Sequence, residues 1–206
     1  MEKYHIVLSE AAPFPVQTTL ARYLPNTELL LENHNDPKHL LSDIALRKAA
    51  LETIHTKYPA HEWLHIYCDG SSMPDSERTG AGYISTFFKG SIAVGAPLTN
   101  YDGEIAAIHE AAKSLENFQH PQKVAFFIDC QAAILALSTN RYTDCAKTIS
   151  CRVQLTNLME KAWLINLQWI PSHVGVEGNE AANKLAKEGT ILPQPPSFQS
   201  IMYLLC

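Results

Sequence analysis

The chain has 206 residues, 46% of them hydrophobic, and a formal net charge of −5. That length holds one sizeable domain, or one domain with a short attached element, with enough apolar material for a real core. The acidic balance excludes a global basic field of the kind that gathers nucleic acid, while leaving room for a local basic groove. No stretch approaches a membrane span, and Ile6–Leu8 is too short for a signal-peptide core, so the expected location is intracellular, cytoplasmic or nuclear, and not secreted. The five cysteines, Cys68, Cys130, Cys145, Cys151 and Cys206, contain no C-x-x-C and leave an odd one over. That pattern fits reduced thiols better than a disulfide frame or a zinc site.

Residues 1–60 read as a segment attached ahead of the main domain. Residues 16–23 are a candidate short helix, and Pro25 with Asn26 reads as a turn. Asp36 is a candidate N-cap with Pro37 in the first helical position. Leu40, Leu41, Ile44, Leu51 and Ile54 then recur at helical spacing until Pro59, which predicts a helix near 37–57. His34, His39, His55 and His61 invite a metal reading. Within one helix, however, His39 and His55 stand roughly four and a half turns apart, too far to share an ion, so they read as scattered surface histidines.

The strands follow. Residues 62–69 form an apolar run that ends on Asp69 and is broken by Gly70, Ser71 and Ser72. On its own, an aspartate before a glycine at a strand end is ordinary turn chemistry. Residues 80–88 and 91–96, joined by Lys89 and Gly90, read as a hairpin. Gly80 and Gly82 sit inside a strand with no helix after it, which suits strand packing and not a phosphate loop. Thr99 and Asn100 offer an N-cap to a helix running to about Phe118, with Ile105, Ile108, Ala112 and Leu115 along one stripe. Glu104 falls in its first turn, where a carboxylate also complements the helix dipole.

Residues 123–129 are almost continuously apolar, as expected of a strand buried on both faces, and they too end on an aspartate, Asp129. Helices are predicted from Gln131 to about Leu137 and over about 144–162, the second carrying Ile149, Val153, Leu155 and Leu158. The last strand spans 164–170 and stops at Pro171. Asn179 can cap a final helix with Ala182, Leu185 and Ala186 facing inward and Gly189 at its end. Pro193, Pro195 and Pro196 make a stiff linker to an apolar tail, so that 191–206 stands apart.

This order predicts an α/β fold. Three strands form an antiparallel meander, two more join by parallel crossovers into a mixed five-stranded sheet, and helices cover both faces. Neighbouring parallel strands that end on Asp69 and Asp129 would place two carboxylates side by side.

With that frame, four segments gain meaning together: YCDGS from Tyr67, TNYDGEIAAIHEAA from Thr99, FFIDCQAAI from Phe126, and WIPSHVGVEGNEAANKLAK from Trp169. In order and spacing they resemble the four signature blocks of the type 1 ribonuclease H family, with the domain over 61–190. The wording is most similar to the domain at the end of the reverse transcriptase polyprotein of non-LTR retrotransposons, where residues 1–60 would occupy the place of the preceding connection. The resemblance implies an RNase H-like fold, an RNA–DNA hybrid as substrate, and a reverse transcriptase domain of the same polyprotein as partner.

Carried across position by position, it makes Asp69, Glu104 and Asp129 metal-binding carboxylates and His173 the mobile histidine beside them. Gly70, Ser71, Asn100 and Gln131 become contacts to the hybrid. The fourth metal position falls on Asn183, where the family carries an aspartate, and Tyr101 stands where a second asparagine is common. Two Mg²⁺ ions are implied, with Mn²⁺ as a substitute.

The chemistry accounts for these residue types. Hydrolysing a phosphodiester means attacking a charged phosphorus and expelling an alkoxide, which two divalent cations roughly 4 Å apart assist. Magnesium is hard and prefers oxygen, so carboxylates serve it. His173 has a side chain suited to moving protons near neutral pH. Small neutral groups such as Ser71, Asn100 and Gln131 suit the 2′-hydroxyl that separates RNA from DNA. Lys184 and Lys187 are candidate phosphate contacts or simply a solvated helix face. An asparagine at 183 keeps an oxygen ligand but no charge. The expectation is therefore reduced activity, and the alternative is a catalytically decayed domain that binds hybrid or serves as a structural part of the polyprotein. Transposase-like and integrase-like domains share such a sheet, but the GNEAAN block and His173 favour ribonuclease H.

Overall fold

The computed structural model of the chain describes residues 24–32, 41–73, 75, 78–139, 141–143 and 145–195. In chain order the elements are β1 (Asn26–Glu28), α1 (Asp43–Lys57), β2 (Trp63–Met73), β3 (Arg78–Ser85), β4 (Lys89–Gly95) and α2 (Asn100–Ser114), then β5 (Lys123–Ile128), α3 (Gln131–Leu137), α4 (Ala146–Glu160), β6 (Leu164–Trp169) and α5 (Glu177–Ile191). The strands form one mixed sheet in the order β1-β6-β5-β2-β3-β4. β2, β3 and β4 pair antiparallel, whereas β2–β5, β5–β6 and β6–β1 are parallel.

The sheet has six strands and not five. The extra one, β1, is three residues long, too short to display a two-residue period against its surroundings. Pro25 therefore leads into a strand, where a turn was expected. Beside its parallel pairing with β6, β1 is tied down by the buried Gln168. Its Nε2 donates to the carbonyls of Glu28 at 3.4 Å and Leu30 at 3.2 Å, and its Oε1 accepts from the Tyr58 hydroxyl at 3.0 Å. α1 starts later than its apolar spacing suggested, because Ser42 is the N-cap and accepts from the Ala45 amide at 3.3 Å. Asp36, Pro37 and the candidate helix over 16–23 lie outside the described residues.

β5 sits at the centre, with Val124, Ala125, Phe126, Phe127 and Ile128 all fully buried, which is why its sequence is continuously apolar. β2 beside it is longer than the run up to Asp69 suggested. Gly70, Ser71 and Ser72 do not break it, because β3 keeps pairing with β2 as far as Met73 opposite Arg78. The pairing with β5, however, ends at Cys68 opposite Ile128. Asp69 thus stands where one of its two neighbouring strands leaves. The β3–β4 hairpin also turns earlier than expected. Ser85 Oγ accepts from the amides of Phe87 and Phe88, at 3.1 and 3.4 Å, so the turn is made at 86–88 and Lys89 and Gly90 belong to β4.

Glycines let helices lie directly on the sheet. A Cβ at Gly82 would collide with the backbone of Ala182 and Ala186 in α5, and one at Gly70 with the backbone of Asn100, Gly103 and Glu104 in α2. Gly70 is registered opposite Ala81, the residue before Gly82. Successive residues of a strand face opposite ways, so α2 and α5 cover opposite faces. The same close packing corrects the limits of α5. Gly189 lies inside the helix against the Ile92 carbonyl and does not end it. The N-cap is Val176, so Asn179 is an interior residue.

Candidate active site

The sheet and α2 bring three carboxylates to one point. Asp69 comes from β2, Asp129 directly follows β5, and Glu104 lies in the second turn of α2. A ligand oxygen from each lies within 4.8 Å of the others. Glu104 reaches this point because Gly70 and Gly103 allow the start of α2 to touch β2. Its Oε1 then accepts the Gly70 amide at 3.0 Å.

The cluster is costly as it stands. Asp69 and Glu104 are buried, while Asp129 is partly exposed. Burial, reinforced by the charge of Asp129, pushes the Asp69 carboxyl up to about 7, against the pull of the Glu104 carboxyl as a hydrogen-bond partner, the Gly70 amide and Lys187. Burial likewise holds Glu104 well above the usual carboxylate range, helped by Asp129 and Asp69. Glu104 Oε2 is buried with no hydrogen-bond partner among the described residues. Three converging carboxylates, mutual repulsion and an orphaned buried oxygen fit a divalent cation with oxygen preference, the chemistry of the donor set pointing away from zinc.

Asp129 is held from three directions. Its carbonyl accepts from Trp169 Nε1 at 3.1 Å, and its Oδ2 accepts from Asn179 Nδ2 at 3.3 Å. The third restraint is the chain itself, which passes from β5 into α3. Asn179 is almost fully buried, and its Oδ1 has no partner among the described residues. Sequence reasoning treated this residue as a cap and missed its contact with Asp129. The available signal was its position four residues before Asn183, which puts both on one face of α5.

Asn183 is buried and sits on that face. Its Nδ2 lies 3.3 Å from Nδ1 of His173, in hydrogen-bond contact. His173 itself is exposed on the loop between β6 and α5, with a left-handed backbone at φ 57°. The structure therefore brings together Asp69, Glu104 and Asp129 as one cluster and Asn183 with His173 as an adjoining pair, linked through α5 and Asn179.

The candidate substrate contacts border the cluster. Gly70 and Ser71 follow Asp69 on β2 and are partly exposed, Asn100 is exposed at the first position of α2, and Gln131 is exposed at the start of α3. Tyr101 turns its hydroxyl to Thr148 Oγ1 at 3.1 Å, a packing contact between α2 and α4. Lys184 and Lys187 are exposed on α5, and Lys187 is near enough to Asp69 to act on its charge.

The sequence profile described as RNase H matches residues 61–191. Among solved structures, the chain is similar to the crystal structure of RNase H1 from the halophilic archaeon Halobacterium salinarum NRC-1. That match has 21% sequence identity and a TM-score of 0.50, and covers 62% of this chain and 96% of the other. At that identity the likeness speaks for the fold.

Proposed function

The chain belongs to the RNase H family, and from that premise we propose that it is a metal-dependent endonuclease hydrolysing the RNA strand of RNA–DNA hybrids. The observation that carries this reading is the convergence of Asp69, Glu104 and Asp129 within 4.8 Å. These residues would hold the divalent cation, Mg²⁺ by preference and Mn²⁺ as a substitute. Asp69 and Asn183 would hold a second ion, the asparagine offering an oxygen but no charge. When bound, the cations supply the positive charge that favours attack by water on the phosphorus and stabilises the departing oxygen.

The chain's own residues supply the rest. Burial of Asp69 and Glu104 keeps bulk water from screening the site, so charge there acts strongly. Asn179 and Trp169 fix the orientation of Asp129. His173, exposed beside the cluster, hands a proton to the leaving oxygen. Gly70, Ser71, Asn100 and Gln131 line the approach with small neutral groups that recognise the 2′-hydroxyl. Lys184 and Lys187 contact backbone phosphate, which gives a net acidic protein a local basic edge. The wording of the motifs further supports a place in a retrotransposon polyprotein beside a reverse transcriptase domain.

Asn183 favours a second reading, a decayed domain that still binds hybrid. One experiment separates them: cleavage of a labelled RNA–DNA hybrid by the purified chain, titrated separately with Mg²⁺ and Mn²⁺. RNA-strand products that vanish with EDTA and with Asp129→Asn establish the enzyme. Hybrid binding with no products in either metal establishes the decayed module.

A further inference from the structure

We propose that Arg47, on a helix ahead of the segment matched by the family profile, is a positioning residue for His173. The inference rests on the reading of His173 given above, and its starting point is a single long-range contact. Arg47 lies in α1, before residue 61 where the family match begins. Its Nε donates to the carbonyl of Gly175 at 3.0 Å, across 128 positions of sequence. The side chain also runs along Gly175, so that a Cβ placed there would lie 3.4 Å from Arg47 Nε and 3.6 Å from its Cδ. Arg47 makes no ion pair among the described residues, so nothing described draws the guanidinium elsewhere.

The loop needs such a hold. His173 has φ 57° and Gly175 has φ 83°. A non-glycine residue in the left-handed region persists only where its surroundings over-determine it. Here exposed and buried residues alternate. His173 and Gly175 face out, while Val174 and Val176 are buried in the same core as Leu46, Ala49 and Ala50 of α1. The two valines fix the loop's depth, but a hydrophobic anchor sets no direction about itself. Direction comes from hydrogen bonds at Gly175. Its carbonyl accepts from Arg47 on one side, and its amide donates to Glu180 Oε1 at 3.3 Å on the other. With both backbone groups of Gly175 engaged by side chains of two different helices, the peptide planes on either side of Gly175 are set; the first of them joins it to Val174, which limits the directions open to His173, found here in contact with Asn183.

The test uses the full chain with Arg47→Met, which keeps the apolar stem and removes every donor, and Arg47→Gln, which restores an N–H without the charge. Two readouts are needed: steady-state hydrolysis of an RNA–DNA hybrid, and ¹⁵N-histidine NMR of His173, which requires no activity. Arg47→Met is expected to lower kcat roughly fivefold, the population change that one modest hydrogen bond supplies, with KM held within about twofold. It should also broaden or split the His173 signals, and Arg47→Gln should recover most of both. A raised KM at unchanged kcat would show instead that Arg47 contacts nucleic acid, and His173 signals in Arg47→Met identical to wild type would also overturn the proposal. If the wild-type chain cleaves nothing, the enzyme reading falls, yet the His173 signals still decide the role of Arg47.

Discussion

Asp69 and Glu104 are held by the fold in a state they resist. Their carboxyls are raised because burial and neighbouring charge disfavour ionisation, so the native state binds more protons there than the unfolded chain does. Stability from Asp69 is then fully present below its unfolded value of about 4 and is lost as pH rises through about 7. In EDTA, the melting temperature of the wild type should fall relative to that of Asp69→Asn between pH 5 and pH 8. Asp69→Asn should melt about 4 °C or more higher at pH 8, since roughly 1 kcal/mol moves a chain of this size by 2–4 °C. Mg²⁺ should close most of that gap by stabilising only the wild type; scanning calorimetry at both pH values checks it. At the fourth position, Asn183→Asp restores a charge and should tighten metal binding about tenfold, the lower end of what outer ligands contribute. The Mg²⁺ concentration for half-maximal cleavage should fall by a similar factor, whereas an unchanged titration would exclude position 183 from the metal site.

Among the elements, α5 carries the most. It packs across β2, β3 and β4 at glycine positions, and it supplies Asn179 to Asp129 and Asn183 to His173. Gly82→Ala puts a methyl group into the backbone of α5 and should cost about 3 kcal/mol, the upper range for overpacking. Urea denaturation should show it, with activity lost in step because the helix must shift. Such helix roles were only partly legible in the sequence. The apolar stripe of α2 and the continuous run of β5 announce themselves, since Ile105, Ile108 and Phe126 have one dominant neighbourhood, the core. Asn179 and Gly189 were misread as helix ends because asparagine and glycine serve both caps and close packing, and local sequence does not distinguish the two uses. Asp69 and Asp129 were legible as neighbours because each ends one of two adjacent parallel strands, whereas Glu104 joined them only through the resemblance of its block. Arg47 was not legible, because it acts through a carbonyl 128 positions away, where no pattern records it.

At the scale of the whole molecule, the described residues ahead of residue 61, 24–32 and 41–60, pack into the sheet and its core. β1 extends one sheet edge by pairing with β6, and α1 buries Leu46, Ala49, Ala50 and Ile54 in the common core. A chain starting at Glu62 loses that burial, which should cost about 5 kcal/mol on area grounds. Thermal unfolding of the shortened chain should therefore show a much lower or absent transition; unchanged melting would make the segment an appendage. The sequence pointed to a helix here but gave no hint of the edge strand, because three residues paired to a distant strand leave no periodic trace.

One small contact at the crossing of β2 and α2 carries a practical consequence. The Gly70 amide points at Glu104 Oε1 from 3.0 Å, which wires a backbone proton to one corner of the acidic cluster. Any cation that draws on that carboxylate must change the electron density the amide feels, and so its proton chemical shift. The fold thus contains its own voltmeter. A titration followed at Gly70 would read occupancy of the site in the absence of any substrate, and would register binding even in variants that no longer cut.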